Sequence, residues 1–162
     1  MGKSIPNLIR NGRVRTLNMW KLSYQGILTG PPKPMGRPRM TRRGTTYTPK
    51  TSREYKEEAV ESIASTLADG WTPLDGPLRI QITFVHSRPQ RLQRSSVSTG
   101  RIWKVTKPDT DNLLKMVLDT LTVARVWEDD NRVCSISCSD YYGAMNEEPH
   151  TLFTVYEWGD DA

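Results

Sequence analysis

The sequence predicts an α+β domain of about four strands packed with two main helices, and three observations lead there. Four segments, 20–28, 78–86, 133–141 and 151–158, carry the alternation or the β-branched and aromatic residues of strands. Two others, from Thr51 or Ser52 to about Ala68 and from Asp111 to about Ala124, repeat apolar residues at helical spacing. Between them lie stretches rich in Pro, Gly and Arg that can form neither helix nor central strand. At 162 residues the chain makes one domain with a sizeable core.

Residues 1–19 lack clear periodicity and read as a basic extension ahead of a domain over 20–158. Trp20 to Leu28 is the first strand. Gly30 to Gly44 is a Pro/Gly/Arg loop, and Thr45 to Thr48 adds a short extended piece. In the first helix Tyr55, Ala59, Ile63 and Leu67 form one buried stripe, with Thr51 or Ser52 as cap. Leu78 to His86 alternates cleanly. Ser87 to Pro108 is a second basic loop, long enough to imply a functional role. The second helix buries Leu113, Leu114, Val117, Leu118 and Leu121, and a turn over 127–132 leads to the two late strands.

Charge is unevenly placed. The net charge is +5, twelve Lys/Arg precede the first acidic residue, Glu54, and residues 140–162 hold six Asp/Glu with no Lys or Arg. One basic face, suited to a polyanion, follows from this asymmetry. Cys134 and Cys138 sit four apart on one strand, roughly 13 Å from each other. They are too distant for a disulfide, and no Cys/His pair completes a zinc site; reduced, buried thiols are expected. No run of 18 apolar residues and no secretory h-region occurs, which points to a cytoplasmic protein.

Within this basic chain lies an acidic knot, Asp109-Thr-Asp111-Asn112-Leu-Leu-Lys115, with Asp119 further along the helix and Asp129-Asp130 after it. Two carboxylates at about 4 Å repel by roughly 4 kcal/mol at an effective dielectric of 20. A cluster of three or four persists only with protons, cations or a metal. Carboxylates suit hard divalent cations, which in turn polarise phosphates. The plainer alternative makes Asp109 and Asp111 helix caps, Asp129-Asp130 a solvated turn, and Lys115 an i,i+4 partner of Asp111 or Asp119.

The run K-P-D-T-D-N-L-L-K-M-V-L-D-T-L, followed by V-W-E-D-D-N-R-V, resembles the signature of the RusA-type Holliday junction resolvases, small dimeric endonucleases of bacteria and their phages. G-P-P-K-P-M-G-R-P-R, Y-T-P-K and the Glu-rich helix are similar to the N-terminal part of phage and prophage members, so the likeness extends over roughly 22–158. The resemblance implies a small mixed β-sheet, a homodimer and metal-dependent resolution of branched DNA by paired symmetric nicks. It places Asp109, Asp111 and Asp130 (Asp129 as the alternative) on Mg²⁺, for which Mn²⁺ can substitute, and gives Lys115 a part in cleavage. The extension before Trp20 and the loop 87–108 exceed what compact members need, leaving the range of branched substrates open.

Binding is expected from Lys33, Arg37, Arg39, Arg42, Arg43 and Lys50 in the first loop, with Arg88, Arg91, Arg94, Arg101, Lys104 and Lys107 in the second. Such phosphate contacts position DNA without reading its sequence. Trp103 and Tyr47 are candidates to stack on exposed bases. Two rivals remain. A PD-(D/E)xK nuclease is disfavoured because no D/E-x-K follows Pro108-Asp109, and Glu54-Tyr55-Lys56 lies on the wrong side. A junction- or duplex-binding accessory protein with structural acids is the non-enzymatic alternative.

Overall fold

The alternating segments pair into one five-stranded sheet. Its strands are β1 (Met19–Thr29), β2 (Leu78–His86), β3 (Ile102–Trp103), β4 (Val133–Tyr142) and β5 (His150–Gly159). The computed structural model describes residues 19–36, 50–94 and 96–159 (50 and 51 by backbone), with the backbone of two-residue strands at 9–10, 13–14, 39–40 and 46–47. Spatially the order is β1-β5-β2-β4-β3, with β2 and β4 parallel and the other neighbours antiparallel. A parallel pair needs a long crossover, and residues 87–132 supply it, carrying β3 and the second helix.

Register decides which side chains share a face. Ile80, Ile82 and Phe84 stand beside Val155, Phe153 and Thr151 on one flank and Ile136, Cys138 and Asp140 on the other. Helices α1 (Lys50–Ala64) and α2 (Thr110–Val123) cover this face. Leu28, Ala59, Ile63, Leu113, Val117, Leu121 and Trp127 close the core between them. The opposite face, with Ile27 and Leu152 exposed, carries no layer among the described residues. The fold is therefore α+β with a mixed sheet.

Three expectations are corrected. The strand β3 falls inside the segment expected to be loop; two residues carry no periodicity, and only the edge of β4 makes them a strand. Helix α1 stops at Ala64 because Ser65 Oγ and Thr66 Oγ1 turn back to the carbonyls of Ser62 (2.8 Å) and Ile63 (2.7 Å), competing with the helix. Of the two free cysteines, Cys134 is exposed rather than buried. Cys138 is half-buried, and burial pushes its thiol up to about 11. Among the described residues no helix is long and apolar enough to cross a membrane.

Candidate active site

Asp109 is the N-cap residue of α2 in extended conformation (φ −72°, ψ 142°), yet its carboxylate makes no capping hydrogen bond. Asp111 follows in the first turn. Both are exposed, and neither carboxylate has a partner among the described residues. Lys115, one turn on, is exposed and forms no ion pair with Asp111 or Asp119. Asp119 instead faces Lys56 of α1, with Nζ 3.7 Å from Oδ2. The structural alternative for Lys115 is thus not realised, and the cation stays beside two carboxylates that are unengaged among the described residues.

Beneath this turn lies a polar cluster that the sequence reading missed. Asp140, on the helix-facing side near the end of β4, is buried, as is Lys104 just after β3. Lys104 Nζ donates to Asp140 Oδ2 (3.1 Å) and to the carbonyls of Thr106 (2.7 Å) and Pro108 (2.8 Å). Thr110 Oγ1 donates to the same Oδ2 at 3.3 Å. His86 Nε2 lies 2.9 Å from Asp140 Oδ1, in a contact that falls short of hydrogen-bond geometry. Burial pulls the His86 imidazole below its ordinary range, against the nearby Asp140 charge, and Lys104 lowers it further. Asp140 shares its strand's phase with the half-buried Cys138, and that phase is the one available signal.

The second acidic pair divides its work. Asp129 caps a 3-10 turn over Asp130–Arg132, its Oδ1 accepting the Asn131 N–H at 2.9 Å. Asp130 is exposed with no partner among the described residues. The turn packs against α2 but precedes the first residue of β4, and Arg132 is tied to Asp75 at 2.6 Å. Thr110, beside Asp109, touches Asp140 near the far end of β4. The seven strand steps from Val133 to Asp140 span roughly 23 Å, and the length of α2 is about 21 Å. Within one chain Asp130 therefore stands near the opposite end of α2 from Asp109 and Asp111. Among the described residues no three acidic, His or Cys side chains converge. As oxygen donors the two leading carboxylates fit a hard divalent cation.

The expected cations separate in the same way. Arg88 is buried: its Nε donates to Gly143 O (2.8 Å), and its terminal nitrogens donate to the carbonyls of Leu92, Ser98 and Gly100. Arg88 and Lys104 thus face inward, because coiled backbone leaves carbonyls that need donors. Arg101 pairs with Glu147. Arg91, Arg94, Lys107 and Lys33 remain exposed, Lys33 with Nζ 5.1 Å from the Tyr55 ring centroid. The Met35 N–H donates to Asn112 O at 3.1 Å, which anchors the first basic loop on the turn that carries Asp111. Arg37, Arg42 and Arg43, and the side chains of Arg39, Tyr47 and Lys50, lie outside the described residues. Trp103 is exposed and leans on Tyr141, ring centroids 4.3 Å apart.

Glu147 closes the second loop by accepting from Ala144 N (2.7 Å) and from Arg101 Nη2 (2.5 Å). The Arg101 guanidinium holds its carboxyl at about 2, below the ordinary 4.5. Glu147→Gln is expected to lower stability at pH 7 by about 1 kcal/mol. A depressed carboxyl contributes fully above 4.5 and loses its contribution as pH falls toward about 2. Urea midpoints of the two proteins should accordingly converge over that interval; a constant gap would contradict the assignment.

A family model described as "Endodeoxyribonuclease RusA" matches residues 29–152. The chain is also similar to the uncharacterized protein YqaN of Bacillus subtilis (strain 168), at 27% identity over 135 residues, covering 79% of this chain and 92% of that one.

Proposed function

The chain belongs to the RusA family of Holliday-junction-resolving endonucleases, and from that premise we propose a divalent-metal-dependent resolvase that works as a homodimer. Asp109, Asp111 and Asp130 would hold Mg²⁺, with Mn²⁺ as a substitute. Asp129 is set aside because its carboxylate is already engaged as a cap. When bound, the cation polarises the scissile phosphate and lowers the pKa of a water.

The observation that carries this reading is the pair of exposed, unengaged carboxylates at the start of α2, with Lys115 unpaired beside them among the described residues. Asp109 and Asp111 supply negative charge where the helix N-terminus partly offsets their repulsion. Lys115 acts as a point charge that stabilises the negative charge building on the phosphate during displacement. The exposed Lys33, Arg91, Arg94 and Lys107 hold flanking phosphates, so binding weakens with salt.

The separation of Asp130 from the other two supports a specific form of the dimer. A two-fold interface gives each copy what its partner gives it. We therefore place Asp130 of one subunit at Asp109 and Asp111 of the other, which makes two composite sites for paired nicks across a four-way junction. Synthetic junctions incubated with the purified protein and Mg²⁺ test the proposal. Symmetric nicks near the branch point are expected, with linear duplex left intact. Binding without cutting in both Mg²⁺ and Mn²⁺ would instead establish the accessory-protein alternative.

A further inference from the structure

We infer that Lys104 and Asp140 are positioning residues, a buried clamp that aims the Asp109 carboxylate; the inference rests on the metal-dependent reading above. Its basis is the way Asp109 is straddled. The residue before it, Pro108, gives its carbonyl to Lys104 Nζ at 2.8 Å, and the residue after it, Thr110, donates to Asp140 Oδ2 at 3.3 Å. Lys104 Nζ completes the link by donating to that same Oδ2 at 3.1 Å. One carboxylate oxygen thus fixes both flanks of Asp109, and the main chain repeats the tie, Lys104 N–H donating to Asp140 O at 3.0 Å.

Burial makes the clamp rigid. The Lys104 side chain is 2% exposed and that of Asp140 6%, and each of the three ammonium protons has an acceptor. A cap residue whose backbone is extended normally turns its carboxylate to the helix N–H groups. Asp109 has that backbone but not that bond, so its side chain is left for another partner. A buried ion pair is weak grounds for stability, since well-packed apolar replacements are often neutral. Holding a ligand-bearing turn in place is a role that an apolar pair cannot perform.

The double variant Lys104→Met/Asp140→Leu tests this, because it removes both buried charges together. It is expected to melt close to wild type and to bind junctions as tightly in the absence of metal. Its Mn²⁺ affinity, read by electron paramagnetic resonance, should fall about 10- to 100-fold, the range typical of lost outer-shell support. Its kcat should drop while KM for the junction holds. Should that protein fail to fold, Thr110→Val, which keeps both charges, decides the matter by a smaller fall in Mn²⁺ affinity. Unchanged Mn²⁺ affinity in the folded variant overturns the positioning role. A wild type that binds no Mn²⁺ and cuts no junction overturns the metal-dependent reading beneath it.

Discussion

Asp111→Asn is expected to abolish junction cleavage while leaving junction binding intact. Asparagine keeps the size and one oxygen of aspartate but removes the charge that a divalent cation requires. The loss should be at least about a thousandfold in kcat, equivalent to roughly 4 kcal/mol of activation free energy. Folding should hardly change: Asp111 is exposed and has no partner among the described residues, and such surface substitutions usually stay within about 0.5 kcal/mol. Binding should be equal or slightly tighter, because one negative charge facing the phosphates is gone. Cleavage time courses beside gel-shift titrations at fixed salt separate the two effects. A variant that cuts at the wild-type rate would remove Asp111 from the metal site.

The second expected result is rescue by mixing. Asp111→Asn and Asp130→Asn should each be inactive alone, yet subunit exchange between them should restore nicking. In a composite arrangement the mixed dimer has one site with both substitutions and one with neither. Random pairing then leaves about a quarter of all sites intact, one per mixed dimer. Products should be single nicks rather than paired ones, so a cruciform plasmid would accumulate as open circles and not as linear DNA. Sites complete within one chain would give no rescue at any ratio, which would place Asp130 beside Asp109 and Asp111 of its own subunit.

How far the sequence could be read differs by residue. Leu78–His86 is bounded correctly because a half-buried strand writes its alternation into the chain. Ile102–Trp103 is not legible, since its strand character belongs to the neighbour it pairs with. Arg88 and Lys104 look like their exposed neighbours Arg91 and Lys107, and nothing local distinguishes a cation that serves carbonyls from one that serves phosphates. Asp119 is a further case: its spacing suggests Lys115 as partner, while the structure gives it Lys56 from the other helix.

The sequence by itself determined the α+β class, the two helices, the acidic knot at the start of the second helix and the family, because each is a matter of local periodicity or contiguous spacing. Tertiary structure alone decided what surrounds the knot. It put Asp140 under Asp109, turned Lys104 inward to bind Pro108, and carried Asp130 to the other end of α2. These are outcomes of strand register and crossover path, which bring together residues dozens of positions apart and are encoded by no single segment.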